Sequence, residues 1–193
     1  MHFHHVDEKE GGEGLKELGF DSSHIIQPNS NLKDSSVHIE NIRGDFTMPE
    51  LLIIYDSHTG NTEKMAEAVA EGAKSVAGVE VNTKYFARPE ELVQADAIIF
   101  GAPTYHHDMT IPIKQMLEEA AKANIQLKGK IGAVFGSYGW SGEAPRLVLE
   151  VLKYRFGMKT IEPGLAVMNT PNEAKLDECK KLGKLVAETI VPK

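Results

Sequence analysis

The stretch Ile53-Ile54-Tyr55-Asp56-Ser57-His58-Thr59-Gly60-Asn61-Thr62 passes abruptly from an apolar run into hydroxyls and a glycine, and a helix pattern follows at once. Leu51 to Tyr55 is too short for a core helix and reads as a buried strand. Beyond it, Met65, Ala66, Val69, Ala73 and Val76 recur at helical spacing on one apolar face. The loop between strand and helix therefore lies at a helix N-terminus, where free backbone amides and the macrodipole favour an anion. Ser57, Thr59 and Thr62 add hydroxyls, and Gly60 lets the backbone approach a ligand closely. No Lys or Arg stands between Asp56 and Thr62, and the spacing is not that of a nucleotide-hydrolysing P-loop. Amides and hydroxyls alone suit a terminal monophosphate that is held and not transferred.

Ser57-His58-Thr59-Gly60-Asn61-Thr62 resembles the phosphate loop of the flavodoxin family, which has the form [ST]-x-T-G-N-T. The ligand this resemblance implies is FMN.

The rest of the chain supplies the other elements of such a fold. Val79 to Phe86 reads as an edge strand, Pro89 to Val93 as a short helical piece, and Ala97 to Phe100 as a second buried strand. Ile111 to Ala123 is a helix with Pro112 in its first turn, and Ile131 to Phe135 is a third apolar strand. Glu143 to Phe156 is a helix ended by Gly157, and Met158 to Met168 is extended but interrupted at Pro163-Gly164. Thr170-Pro171-Asn172-Glu173 has the form of a capping box for a last helix. Apolar strands alternating with helices indicate an α/β fold with a parallel sheet covered on both faces. The expected architecture is a flavodoxin-like three-layer sandwich, a five-stranded parallel sheet of order 2-1-3-4-5 with an N-terminal extension. In that order the ligand crevice lies beyond the strand C-termini, at the switch point.

Two further loops fall at that edge. Gly101-Ala102-Pro103-Thr104-Tyr105-His106-His107-Asp108 follows one strand, and Gly136-Ser137-Tyr138-Gly139-Trp140-Ser141-Gly142-Glu143 follows the next. Small and aromatic residues in such loops supply flat apolar surfaces and backbone hydrogen bonds to a flavin ring. The second loop is most similar to the flavin loop in the flavodoxin domain of flavodiiron (A-type) flavoproteins, and Ala102-Pro103-Thr104 and Glu162-Pro163-Gly164-Leu165 look like the same group. The resemblance spans residues 48–193. It implies that Ser57, His58, Thr59, Gly60, Asn61 and Thr62 hold the phosphate. Pro103, Thr104, Tyr105 and His106 would line one side of the flavin, and Ser137, Tyr138, Gly139, Trp140 and Gly142 the other. Flavodiiron proteins also carry a metallo-β-lactamase-like domain with a His-x-Glu-x-Asp-His ligand run, and nothing in this sequence matches it. Diiron chemistry is therefore not expected, and neither metal ligands nor catalytic residues are assigned.

Length and composition suit one globular domain: 193 residues, 41% hydrophobic and 25% charged. No apolar run reaches the roughly 20 residues of a membrane span, and the N-terminus lacks a signal-peptide pattern, so a cytoplasmic protein is expected. The formal charge of −7 argues against nucleic acid as a partner. Residues 1–47 carry four Lys/Arg against nine Asp/Glu, whereas residues 48–193 carry 17 against 19. The first 47 residues read as an extension or docking arm, in which Val37 to Ile42 has the pattern of a strand for a sheet edge. His2, His4 and His5 lack further ligands at fixed spacing, and the plainer reading is a solvated terminus. Cys179 shares an apolar helix face with Leu182 and Val186 and reads as a buried structural thiol.

The leading expectation is an FMN-binding electron-transfer protein that passes electrons between a reduced donor and a protein acceptor. The alternative is an FMN-dependent reductase, with an NAD(P)H or deazaflavin donor and a quinone-like acceptor, built as a homo-oligomer. His106 and His107 beside Asp108 invite a proton relay, but packing and solvation are the simpler account. No glycine stands between Pro103 and Asp108, so a peptide turning over beside the flavin would be costly. The blue one-electron form should then accumulate less than in typical flavodoxins.

Overall fold

The computed structural model describes residues 48–192. The extension 1–47, with His2, His4, His5 and the Val37–Ile42 segment, lies outside the described residues.

Strand β1 (Glu50–Tyr55) occupies the centre of a parallel sheet because four of its six residues, Leu51 to Ile54, are apolar and buried on both faces. It pairs with β2 (Glu80–Lys84) on one side and β3 (Ala97–Gly101) on the other. Beyond β3 lies β6 (Ile131–Tyr138), whose far edge takes two short parallel strands, β7 (Lys159–Thr160) and β8 (Leu165–Met168). The expected order 2-1-3-4-5 is thus present, with the fifth position shared between two pieces separated at Pro163-Gly164. A small antiparallel hairpin, β4 (Thr104–Tyr105) and β5 (Asp108–Met109), joins the sheet where Thr104 pairs with Tyr138.

Alternate side chains feed two cores. Leu52, Ile54, Ile98 and Phe100 pack with helices α3 (Ile111–Lys122) and α4 (Ala144–Glu150). Leu51, Ile53, Ile99 and Phe135 pack on the other face with α1 (Asn61–Lys74) and α5 (Glu173–Ile190), where Cys179 and Val186 are fully buried. Burial drives the Cys179 thiol up to about 12, so it stays a neutral core group. Helices α1 and α5 touch backbone to backbone: a Cβ on Gly183 would collide with the Val69 carbonyl, and one on Gly72 with that of Lys180.

Several boundaries differ from the sequence reading. The edge strand ends at Lys84, leaving Tyr85 and Phe86 exposed on the connection to the short helix α2 (Pro89–Gln94). Strand β6 runs three residues past Phe135 because β8 supplies ladder partners as far as Tyr138. The helix expected over 143–156 is α helical only to Glu150 and continues as a π-helical turn, Val151–Arg155, before Gly157 at φ +66°. The cap of α5 is Asn172, whose side-chain oxygen accepts from the Lys175 amide at 3.0 Å, and not Thr170.

Candidate functional site

Three loops leave the C-terminal ends of β1, β3 and β6 and surround a cavity of about 210 Å³ lined by Thr59, Asn61, Pro103, Thr104, Tyr105, Ser137, Tyr138, Gly139 and Asn169. Eight of these nine belong to the fifteen residues expected from sequence. A larger cleft of about 410 Å³ lies between α4 and the Glu162–Ala166 segment and meets the predicted set only at Gly142. It contains neither the glycine loop nor the end of β1, so the smaller cavity is the candidate site.

The first wall is the start of α1. Gly60 is its N-cap, in the left-handed region at φ +78°, and offers no capping side chain of its own. Ser57 takes the Glu63 amide, which leaves those of Asn61 and Thr62 facing the loop, and nothing stands within 4 Å of where a Gly60 side chain would begin. This open cradle at the positive end of a 14-residue helix fits a phosphate. The hydroxyls expected to add to it divide their work. Thr59 is exposed at the rim, the Ser57 oxygen accepts from the Glu63 amide at 3.2 Å, and Thr62 is buried. The Thr62 hydroxyl lies 2.9 Å from that of Ser137, which ties the phosphate loop to the end of β6.

The second wall is the β4–β5 hairpin. Tyr105 pairs with Asp108 across a two-residue turn in which His106 and His107 have φ of +51° and +66°. Positive φ at both central positions defines the turn whose twist suits a hairpin, normally made with Asn and Gly. The Thr104 hydroxyl accepts from the Ala144 amide at 3.1 Å and fixes the hairpin against the first turn of α4. Asp108 is held below the usual carboxylate range, first by its hydrogen bond from Lys114.

The third wall is the loop from Ser137 to Glu143. Tyr138 turns toward Gly142, where a Cβ would approach its ring to 3.1 Å. Trp140 is 70% exposed and meets the His107 ring edge-on at a centroid distance of 4.2 Å. The same imidazole contacts Glu143 through Nδ1 at 2.8 Å, which holds the Glu143 carboxyl below its ordinary range, with Ser141 as the next cause. Two histidines therefore clasp the hairpin: His107 to the third loop, and His58 to the first, its ring 4.7 Å from that of Tyr105.

Of the fifteen expected residues, His58, Gly60 and Ser57 form the rim of the phosphate loop, and Thr62 acts from beneath it as a strut. His106 projects from the hairpin tip, and Trp140 and Gly142 lie outside the cavity lining. Three residues of the site were missed. Asn169, in the left-handed region after β8, closes the cavity, and the Asn-Thr-Pro turn signal was its only mark in the sequence. Asp56 is fully buried beside the loop, and Tyr85 donates its hydroxyl to it. That bond is the first cause holding the Tyr85 phenol above its usual range, so it stays protonated. A carboxylate at the end of an apolar strand is a readable signal for a buried charge, but its partner is 29 residues distant.

Among the described residues no group of three His, Cys, Asp or Glu is placed to hold a metal ion, and no helix is long and apolar enough to cross a membrane.

The family model described as Flavodoxin matches residues 53–183. A Type A flavoprotein of Rhodobacter capsulatus is 40% identical over 147 residues, which cover 72% of this chain and 32% of that protein. A flavodoxin of Aquifex aeolicus is 32% identical over 162 residues, 74% of this chain and 88% of the relative. Among solved structures, a flavodoxin from the domain Archaea superposes with a TM-score of 0.67 at 39% identity, covering 72% of this chain and 97% of the other. The chain thus spans about a third of the type A flavoprotein and most of each of the two flavodoxins.

Proposed function

Starting from the fact that this chain belongs to the flavodoxin family, we propose that it is an electron carrier that takes electrons from a reduced donor protein and delivers them to a protein acceptor. FMN is its cofactor, and electron transfer is the activity common to its family. Residence in the cytoplasm belongs to the same reading. The observation that carries the reading is the start of α1, where Gly60 at φ +78° leaves the Asn61 and Thr62 amides without a capping side chain, opening onto a cavity shared with both aromatic loops.

Bound FMN supplies one- and two-electron redox chemistry at its ring. The protein supplies binding and orientation. The amides at the start of α1, with Thr59 and Gly60, hold the phosphate as an anchor. Pro103 to His106 on one side and Ser137 to Trp140 with Gly142 on the other hold the ring. The Thr62–Ser137 and Thr104–Ala144 hydrogen bonds keep the three loops in register, so that little rearrangement accompanies binding. With no lysine among Asp56–Thr62, the phosphate is held without being activated for transfer.

The test is to load the purified chain with FMN, confirm the flavin absorbance bands, and mix it with NADH, NADPH and a reduced low-potential protein in a stopped-flow instrument. A carrier is reduced by the protein donor and only slowly by the nicotinamides. Fast reduction by either nicotinamide would establish the reductase reading instead.

A further inference from the structure

Asp56 is a carboxylate with no exposure, placed where β1 turns into the phosphate loop. Its Oδ1 accepts from the Tyr85 hydroxyl, while its Oδ2 is buried without a hydrogen-bond partner. The basic side chain facing Oδ2 is His58, with Nε2 at 3.5 Å, an ion-pair distance and not a hydrogen bond. A negative charge at this point works against a phosphate at the neighbouring helix start, and the loop has no Lys or Arg to offset it. His58 is the remaining side chain of the loop able to carry positive charge. It is half exposed and lies against Tyr105.

We propose that His58, facing the buried Asp56, is the cation of the phosphate site, by which the chain discriminates FMN from its phosphate-free counterpart riboflavin. The inference rests on the FMN reading and adds to it the residue pair that recognises the phosphate charge. An imidazolium has two N–H donors. One faces Asp56, and the other is left for an acceptor. The groups against the ring are Asp56 at the end of β1, with Tyr85 behind it, and Tyr105 from the hairpin; the charged residues next along the chain are Glu63 and Lys64 in the first turn of α1, and His106 follows Tyr105. Glu63 is engaged by the Tyr55 hydroxyl at 3.1 Å. Tyr85 remains a neutral phenol, so Asp56 is the charge that pairs with His58.

The sign of the effect follows. The phosphate of FMN gains its second charge near pH 6, which favours binding as pH rises through that value. Riboflavin lacks the phosphate and should not show this dependence.

The test measures dissociation constants for FMN and riboflavin by flavin fluorescence quenching at pH 6.5 in the wild type, His58→Gln and His58→Lys. In His58→Gln, FMN should bind about tenfold more weakly, the loss expected for one charged hydrogen bond, with a much smaller change for riboflavin. In His58→Lys, tight FMN binding should return, which a purely structural role for the imidazole does not predict. Wild-type affinity for FMN in His58→Gln, or equal losses for FMN and riboflavin, would overturn the proposal while leaving FMN binding intact. Failure of the wild type to bind either flavin would overturn the FMN reading itself.

Discussion

The hydroxyl oxygens of Thr62 and Ser137 lie 2.9 Å apart in the protein interior, although 75 residues separate them in the chain. One sits in the first turn of α1 and the other near the end of β6, and the Ser137 amide also approaches the Thr62 oxygen at 3.4 Å. Thr62→Val keeps the side-chain shape and leaves the Ser137 hydroxyl buried without a partner, at a cost of about 1–3 kcal/mol. Adding Ser137→Ala removes the orphaned group, so the double variant should be less destabilised than the sum of the two single changes. Urea unfolding of the flavin-free chain and its variants measures this; strictly additive losses would mean the two hydroxyls do not interact.

Trp140 supports little of the folded chain, being 70% exposed and held by the edge of His107. Trp140→Ala should leave the unfolding midpoint nearly unchanged, within about 0.5 kcal/mol, as surface substitutions do. In contrast, it should weaken FMN binding by about 1–3 kcal/mol, the value of burying and stacking one aromatic ring. Titration with FMN decides whether the residue faces the flavin: unchanged affinity would remove Trp140 from the site.

The contrast between these two residues shows what the sequence made legible. Leu51 to Tyr55 could be read as a strand because its apolar run is local, and the helix after Thr62 because its buried face repeats every three to four residues. Gly60 marked a close backbone approach and stands in the left-handed region, and Tyr105 and Tyr138 marked loops that line the cavity. The Thr62–Ser137 strut, the Tyr85–Asp56 bond and the His107–Glu143 contact were not legible, because each joins segments that only the sheet order brings together. The split of the fifth strand was visible at Pro163-Gly164, but the matching extension of β6 depended on β8 and so was missed. The exchange of Thr170 for Asn172 as the cap of α5 turned on two plausible capping residues in succession, which local pattern does not separate.

His106 pays a conformational cost that a smaller residue would avoid. At φ +51° it stands in the left-handed region, which disfavours residues with a Cβ by about 1–2 kcal/mol, while glycine gives back about 0.5–1 kcal/mol through greater chain freedom when unfolded. His106→Gly should therefore be neutral or stabilise the chain by up to about 1 kcal/mol. In the FMN-loaded protein the same change should raise the amount of blue one-electron form seen in a redox titration, since the tip of the turn gains freedom beside the ring. Nearly complete blue form in the wild type would contradict the expectation drawn from the missing glycine.

The His107–Glu143 contact makes one end of the clasp dependent on acid. In the folded chain Glu143 titrates below its ordinary value of 4.5, chiefly because the His107 ring hydrogen-bonds it. A folded value below the unfolded one means that protonation favours unfolding. The contribution is therefore present above about pH 4.5 and is lost as pH falls through the lower folded value. His107→Gln should move the Glu143 inflection upward toward the ordinary value, as read from its side-chain carboxyl carbon by NMR. The difference in unfolding midpoint between wild type and His107→Gln should narrow between pH 6 and pH 3, because acid removes from the wild type what the substitution has already removed. Coincident inflections in the two proteins would show that the imidazole does not hold Glu143 in solution, and that Trp140 is positioned by its own loop alone.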